Sequence, residues 1–95
     1  MDRGLTGAGE VRAKVRKILS QHGRLGAPVE QLGDTSDLYA AGLTSLATVG
    51  LMLALEEGFD IEFPDAMLSR KTFASIEALA SAVETLSGGQ DRLAS

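Results

Sequence analysis

The sequence predicts an all-α domain in which three main helices and one short helix pack as a bundle, with a long loop between the first two main helices. Apolar residues recur at helical spacing in three separate segments. Only residues 59–63 alternate apolar and polar side chains as a strand does, and one isolated strand is too little to make a sheet. With 95 residues, of which 44% are apolar, the chain has material for one hydrophobic core.

The first helix is predicted for residues 9–22. Its apolar side chains fall on one face with basic side chains between them, and they are Val11, Val15, Ile18 and Leu19. His22, the only histidine, stands just before Gly23 at the helix end. A favourable interaction with the negative end of the helix explains that position better than catalysis does.

The segment from residue 23 to residue 44 is glycine-rich and has no sustained helical period. Structureless loops longer than about 12–15 residues are uncommon in compact domains and are usually functional or disordered. Here the apolar residues are spaced so that they can anchor the segment to a core, which favours an ordered crossover. They are Leu25, Val29, Leu32, Leu38, Tyr39 and Leu43.

The second helix is predicted to begin at Thr44, whose hydroxyl can accept a first-turn amide hydrogen bond, and to run to Glu57, with Gly58 ending it. Two apolar stripes lie on opposite sides of this helix. The first consists of Leu51, Met52, Leu55 and Phe59. The second consists of Leu46, Val49 and Leu53, with Gly50 and Glu57 on the same side. A helix in so small a domain can hardly bury both sides, so we expect the second stripe to be an exposed docking surface.

Two further helices are predicted after this one. Asp65 can cap a one-turn helix that runs through residues 67–68, and Ser75 can cap a last helix. The inner face of that last helix consists of Ile76, Leu79, Ala80, Val83 and Leu86. Glycine and polar residues dominate both ends of the chain, which predicts flexible tails at residues 1–8 and 88–95 around a domain at 9–87.

Several classes of function are excluded by composition. The chain has no cysteine and one histidine, so neither a disulfide nor a metal site is expected. No motif places a base beside a nucleophile, and residues 4–9 are a glycine-rich tail without the lysine of a phosphate-binding loop. We therefore expect no catalytic residues and no enzymatic activity.

The charge distribution and the hydropathy of the sequence limit the classes of partner that the protein is expected to bind. Residues 34–69 contain seven acidic residues and no lysine or arginine, which would repel a nucleic acid and attract a basic protein surface. The longest apolar stretch, residues 46–55, is about half of what a membrane-spanning helix needs. The sequence thus predicts a soluble, cytoplasmic monomer with no nucleic acid partner and no membrane insertion.

Residues 37–49 carry the most specific motif, Asp-Leu-Tyr-Ala-Ala-Gly-Leu-Thr-Ser-Leu-Ala-Thr-Val. It resembles the attachment segment of acyl and peptidyl carrier proteins, in which an acid and two apolar residues precede Gly-Leu and then Asp-Ser-Leu at the start of helix 2. The resemblance continues through residues 52–65 and 72–76, and it covers about residues 9–87. It implies an acyl-carrier-protein-like four-helix bundle, in agreement with the helical pattern.

The resemblance implies that Ser45 carries 4′-phosphopantetheine, transferred from coenzyme A by a phosphopantetheinyl transferase. A serine just inside a helix N-terminus suits this role, because a phosphodiester there faces the positive end of the helix dipole. The arm would hold an acyl or aminoacyl group as a thioester, supplied by a loading ligase and passed to a downstream transferase. The alternative is an interaction module that keeps the carrier fold and its apolar face without a prosthetic group.

Two departures from the family pattern concern helix 2. Thr44 replaces the usual aspartate, keeping the capping oxygen and losing the charge. Ala47 and Gly50 occupy positions that are commonly acidic in fatty-acid carriers. We therefore expect a docking face, made of Leu46, Val49, Gly50, Leu53 and Glu57, that is apolar near the serine and acidic only at Glu56, Glu57 and Glu62. These three acids are either part of that face or an ordinary solvated surface, which needs no partner to explain it. Glycine inside a helix costs about 1 kcal/mol relative to alanine, and Gly50 is consistent with close approach of a partner backbone.

Residues 63–76 look most like those of small stand-alone bacterial carriers outside the housekeeping fatty-acid pathway. Some of these are loaded with an amino acid by a truncated synthetase-like ligase. Arg70 and Lys71 interrupt the acidic surface in this stretch. They are either a solvated pair or the source of a charge pattern on the docking surface that general fatty-acid carriers lack.

Overall fold

The computed structural model of the chain describes residues 8–23, 25–26 and 28–94. Three α-helices make up most of it: α1 (Ala8–His22), α2 (Ser45–Phe59) and α3 (Ile76–Ala94). Two single 3₁₀ turns, Val29–Gln31 and Asp65–Met67, lie in the connections. The described residues form no strand, and none of their helices is long and apolar enough to span a bilayer. The predicted all-α class, with three main helices, a short fourth one and a long first loop, is confirmed.

The core lies where α1 packs against both α2 and α3. Its largest fully buried side chains are aliphatic: Val15, Leu19, Leu38, Leu51, Leu55, Ile76, Leu79 and Val83. Burying one such side chain contributes about 1.5–3 kcal/mol, so a core without tryptophan suffices. The inner stripe predicted for α2 is confirmed, with Leu51 and Leu55 fully buried and Met52 and Phe59 half-buried.

The end of α2 differs from the prediction. Gly58 does not end the helix, which continues to Phe59 and is closed by Asp60 in the left-handed conformation (φ 56°). Gly58 instead leaves room for the side chain of Ile18 in α1, since a Cβ there would lie 2.8 Å from Ile18 Cδ1. The Lys14 ammonium donates a hydrogen bond to the Gly58 carbonyl, and it lies over the Phe59 ring. Gly58, which the sequence predicts as the end of α2, therefore lies inside the helix at its contact with α1.

Hydrogen bonds to α1, to α3 and to the segment before α3 hold the described part of the long loop in place. Arg16 donates hydrogen bonds to the Val29 carbonyl (3.0 Å) and to Asp34 Oδ1 (2.7 Å). The Leu38 amide donates to the Ala74 carbonyl (2.7 Å), and the Glu77 amide donates to the Asp34 carbonyl (2.8 Å). The loop therefore enters α2 in a fixed position. Its 3₁₀ turn has no signature of its own in the sequence.

The remaining elements agree with the predictions in part. Ser75 Oγ accepts a hydrogen bond from the Ala78 amide (3.0 Å), as predicted for the start of α3. Asp65 is the first residue of its 3₁₀ turn and makes no side-chain capping bond, because Pro64 holds the N-cap position. Residues 88–94, which belong to the predicted flexible tail, continue α3 as helix to Ala94. Residues 1–7 and 95, in the two predicted tails, lie outside the described residues.

Candidate attachment site and docking face

Ser45 is the first residue of α2, and its side chain is exposed. Thr44 holds the N-cap position with an extended backbone (φ −99°, ψ 166°), and its Oγ1 accepts a hydrogen bond from the Ala47 amide at 3.0 Å. The Thr44 carbonyl accepts from the Thr48 amide (2.9 Å) and from the Thr48 hydroxyl (2.7 Å). The hydroxyls of Thr44 and Thr48 are thus engaged by the helix start, while Ser45 faces solvent between them.

The residues before Ser45 form a tight turn that fixes the helix entrance. Asp37 Oδ1 accepts a hydrogen bond from the Tyr39 amide (3.0 Å), and the Leu43 amide donates to the Leu38 carbonyl (3.0 Å). Gly42 has φ +118°, and a Cβ there would lie 3.1 Å from the Gly26 amide nitrogen. Both the backbone conformation and the close approach require glycine at this position. The acid and the Gly-Leu pair of the motif therefore have structural roles in positioning Ser45.

A shallow groove of about 380 Å³ runs beside Ser45 between α2 and the segment that precedes α3. Apolar side chains form most of its wall, and its lining residues are Tyr39, Ser45, Thr48, Val49, Met52, Leu68, Ser69, Arg70 and Phe73. Arg70 is the only charged residue among them, and its guanidinium lies 3.9 Å from the centre of the Tyr39 ring. Lys71 does not line this groove, although it lines a neighbouring one together with Arg70 and Asp37.

The outward face of α2 is apolar close to Ser45. Leu46, Val49 and Leu53 are 84%, 52% and 55% exposed. We call these three residues the α2 apolar face. Gly50 and Glu57 are also exposed, and a Cβ on Gly50 would meet nothing within 4 Å. No residue in the part of the chain that the structure describes therefore requires glycine at position 50.

Two residues of α2 have positions that the sequence did not reveal. Ala47 is buried, so it belongs to the inner side of α2 and contributes nothing to the docking surface. The Glu56 carboxylate accepts a hydrogen bond from the Phe63 amide (2.9 Å), which holds the connector after α2 in place. Glu57 and Glu62 remain as exposed acids. The inference that the surface near the serine lacks acids still holds, because α2 has no acidic residue in its first turn.

The site can carry a group but has little that could catalyse a reaction. The residues lining the groove contain no carboxylate and no imidazole that could act as a base for Ser45. His22 is exposed at the end of α1 and lines a different groove, between α1 and α2. Within the described residues no three histidine or acidic side chains are arranged to bind a metal ion. An exposed hydroxyl beside an apolar groove with one cation fits a covalently attached phosphodiester arm.

Comparisons with known proteins identify the family. Residues 13–83 match the family of the phosphopantetheine attachment site. The chain is 51% identical to an aminoacyl carrier protein of Agrobacterium fabrum over 81 residues, which are 85% of this chain and 98% of that protein.

Two solved structures are similar in fold. One is a carrier protein from Agrobacterium tumefaciens in complex with an engineered glycine:carrier protein ligase of Bradyrhizobium japonicum and ATP. It is 53% identical, with a TM-score of 0.77 over 79% of this chain and 97% of that chain. The other is a complex of the Bradyrhizobium ligase with a glycylated carrier protein, 31% identical, with a TM-score of 0.60 over 79% of this chain and 96% of that chain. The chain therefore belongs to the phosphopantetheine attachment site family and is a carrier protein, whose prosthetic group is 4′-phosphopantetheine and which is not itself an enzyme.

Proposed function

We propose that the protein holds an aminoacyl group as a thioester on a 4′-phosphopantetheine arm attached to Ser45 and presents it to partner enzymes. The observation that carries this proposal is the exposed Ser45 hydroxyl at the start of α2, beside a groove that no acidic side chain lines. The arm supplies a terminal thiol for the thioester. This chain's own residues fix the attachment point and leave it accessible to the transferase and to the loading enzyme.

Similarity supports an amino acid as the carried group. A relative that shares 51% of the residues is an aminoacyl carrier protein, and related carriers are bound to glycine:carrier protein ligases with ATP or AMP. We therefore propose an ATP-dependent amino acid:carrier protein ligase as the loading partner, a phosphopantetheinyl transferase as the modifying partner and a downstream aminoacyl transferase as the acceptor. Because loading consumes ATP and the arm comes from coenzyme A, we place the protein in the cytoplasm.

Mass spectrometry in two stages tests this function. Incubation with coenzyme A and a broad-specificity phosphopantetheinyl transferase should add the mass of one phosphopantetheinyl group. Adding the engineered Bradyrhizobium ligase, ATP and glycine should then add one glycyl group that hydroxylamine removes, as expected of a thioester. Failure of the first step would favour a non-loaded interaction module. Success of the first step and failure with every amino acid and ligase tried would leave an acyl group as the cargo.

We further propose that partner enzymes dock on the α2 apolar face, with Gly50 giving room for a partner backbone and Glu57 at the rim. Apolar contacts at the centre of an interface mainly determine residence time, whereas rim charges mainly affect association rate and its dependence on salt. The high exposure of Leu46, Val49 and Leu53 supports their place at the centre.

Assays with the ligase can distinguish the apolar centre of the proposed docking surface from its charged rim. Val49→Asp and Leu53→Ala should slow aminoacylation of the holo protein far more than Glu57→Gln does, and the defect should persist at high salt. Ser81→Asp is the matched control for Val49→Asp, because it adds the same charge at an exposed position on α3. If Glu57→Gln abolishes ligase binding while Val49→Asp leaves it intact, docking is electrostatic and the proposed central role of the apolar face is wrong.

A further inference from the structure

Arg70 is an exposed cation with a defined position next to the proposed attachment point. Its guanidinium stacks 3.9 Å from the centre of the Tyr39 ring, and both residues line the groove that Ser45 borders. From this geometry we infer that Arg70, held on Tyr39, binds the phosphate of the arm and directs the first part of the arm along this groove. The inference rests on the proposed function, because it requires an arm on Ser45.

Backbone hydrogen bonds fix the position of Tyr39, on whose ring Arg70 lies. The Tyr39 amide donates to Asp37 Oδ1, and the neighbouring Leu38 amide donates to the Ala74 carbonyl at 2.7 Å. Tyr39 thus belongs to the turn that leads into α2, and through Leu38 this turn is joined to the segment before α3 that contains Arg70. A guanidinium that stacks on a ring face keeps its N–H donors at its planar edge, where they suit the geometry of a phosphate.

The charge around the groove favours an anion at this place. Arg70 is the only charged residue among those that line it. Asp37 lines a neighbouring groove that Arg70 also borders, and its Oδ1 accepts the Tyr39 amide hydrogen bond. The first turn of α2 also lacks acidic residues. The phosphodiester of an arm on Ser45 would be the one anion introduced there, and attraction between opposite charges is less screened beside an apolar wall than in bulk water.

The start of α2 offers few free amide groups to a phosphate, so a side chain has to supply further hydrogen bonds. The Thr44 hydroxyl already accepts the Ala47 amide, and the Thr44 carbonyl accepts the Thr48 amide. Of the first-turn amides, those of Ser45 and Leu46 are left for an anion by this arrangement. An aspartate at the cap would repel the phosphate, and Thr44 does not. A neutral cap and a cation across the groove together form a site for a phosphodiester.

Phosphorus NMR of the holo protein tests the inference, because it reports on the phosphate and requires no partner enzyme. In the native protein the ³¹P resonance should be broad and shifted from that of free phosphopantetheine, and high salt should reduce both effects. In Arg70→Gln the resonance should be narrow, close to the free position and independent of salt. Arg70→Lys should fall between the two, since lysine keeps the charge but loses the planar edge.

Lys71→Gln is the matched control, because it removes the same charge from the adjacent position without altering the groove. It should leave the ³¹P resonance as in the native protein. Identical spectra for the native protein and Arg70→Gln, or an equal change in Arg70→Gln and Lys71→Gln, would overturn the inference. Mass spectrometry of each sample shows whether the arm is present on Ser45, so a failure of the proposed function is distinguished from a failure of this inference. Thermal melting of each apo variant separates a phosphate effect from a loss of folding.

Discussion

Replacing Ser45 by alanine should abolish addition of the phosphopantetheinyl group, so that the protein keeps its apo mass after incubation with coenzyme A and transferase. The reason is geometric: the Ser45 hydroxyl is exposed at the α2 start, whereas its nearest alternatives serve the fold. Thr44 Oγ1 accepts the Ala47 amide, and Ser36 Oγ accepts the Gly33 amide at 2.9 Å. The expected effect is complete loss of modification, measured by intact-protein mass spectrometry.

Ser69→Ala is the control for this experiment. Ser69 is an exposed serine that lines the same groove, with its hydroxyl 3.3 Å from that of Thr72. Its replacement removes a nearby hydroxyl and should leave the mass gain unchanged. Alanine is an excellent helix former, and circular dichroism of Ser45→Ala should therefore match the native protein. A phosphopantetheinyl mass on Ser45→Ala would place the attachment at another hydroxyl, with Ser36 and Thr44 the first to examine.

Truncating Leu55 to alanine should lower the free energy of unfolding by about 2–5 kcal/mol, because the removed atoms leave a cavity in a close-packed core. Leu55 is fully buried on the inner stripe of α2. Small domains are stable by about 5–15 kcal/mol in total, so this single change removes a large share of the stability. Urea unfolding of the apo protein, followed by circular dichroism, measures the loss.

Leu53→Ala is the matched variant, since it is the same substitution two residues away on the opposite side of the helix. Leu53 is 55% exposed, and we expect its truncation to be nearly neutral for folding. The two variants separate effects on folding from effects on docking. Leu53→Ala should leave the stability nearly unchanged and still slow aminoacylation by the ligase. A larger loss for Leu53→Ala than for Leu55→Ala would mean that the two faces of α2 are assigned the wrong way round.

Most of the helical architecture could be predicted because its signals are local. The observed α1 begins one residue before the predicted helix and ends at the predicted residue, His22. Thr44 and Ser75 could be identified as caps because a capping hydroxyl bonds an amide three residues ahead, within one helical turn. The end of α2 was less predictable, because Gly58 leaves room for the end of the Ile18 side chain of α1 and does not stop the helix.

The residues around the attachment point were predicted less completely. The apolar face of α2 follows from helical periodicity alone, and the structure places Leu46, Val49 and Leu53 outward as expected. The inference that drew on Ala47 for the docking face is wrong for that residue, since alanine is compatible with either side of a helix and the structure buries it. Glu56 reads as a solvated acid, and only the path of the connector shows that it accepts the Phe63 amide.

The sequence by itself determined the fold class, the start of α2 at Thr44 and Ser45, and the resemblance that names a prosthetic group. The first two depend on patterns within a few helical turns, and the resemblance depends on the order of short motifs along the chain. The tertiary structure alone decided which distant residues meet. Arg70 lies on Tyr39, 31 positions away along the chain, and Arg16 holds Asp34 across the loop at 2.7 Å. Such contacts leave no period in the sequence, because they arise only when α1, the long loop and the segment before α3 pack around the same core.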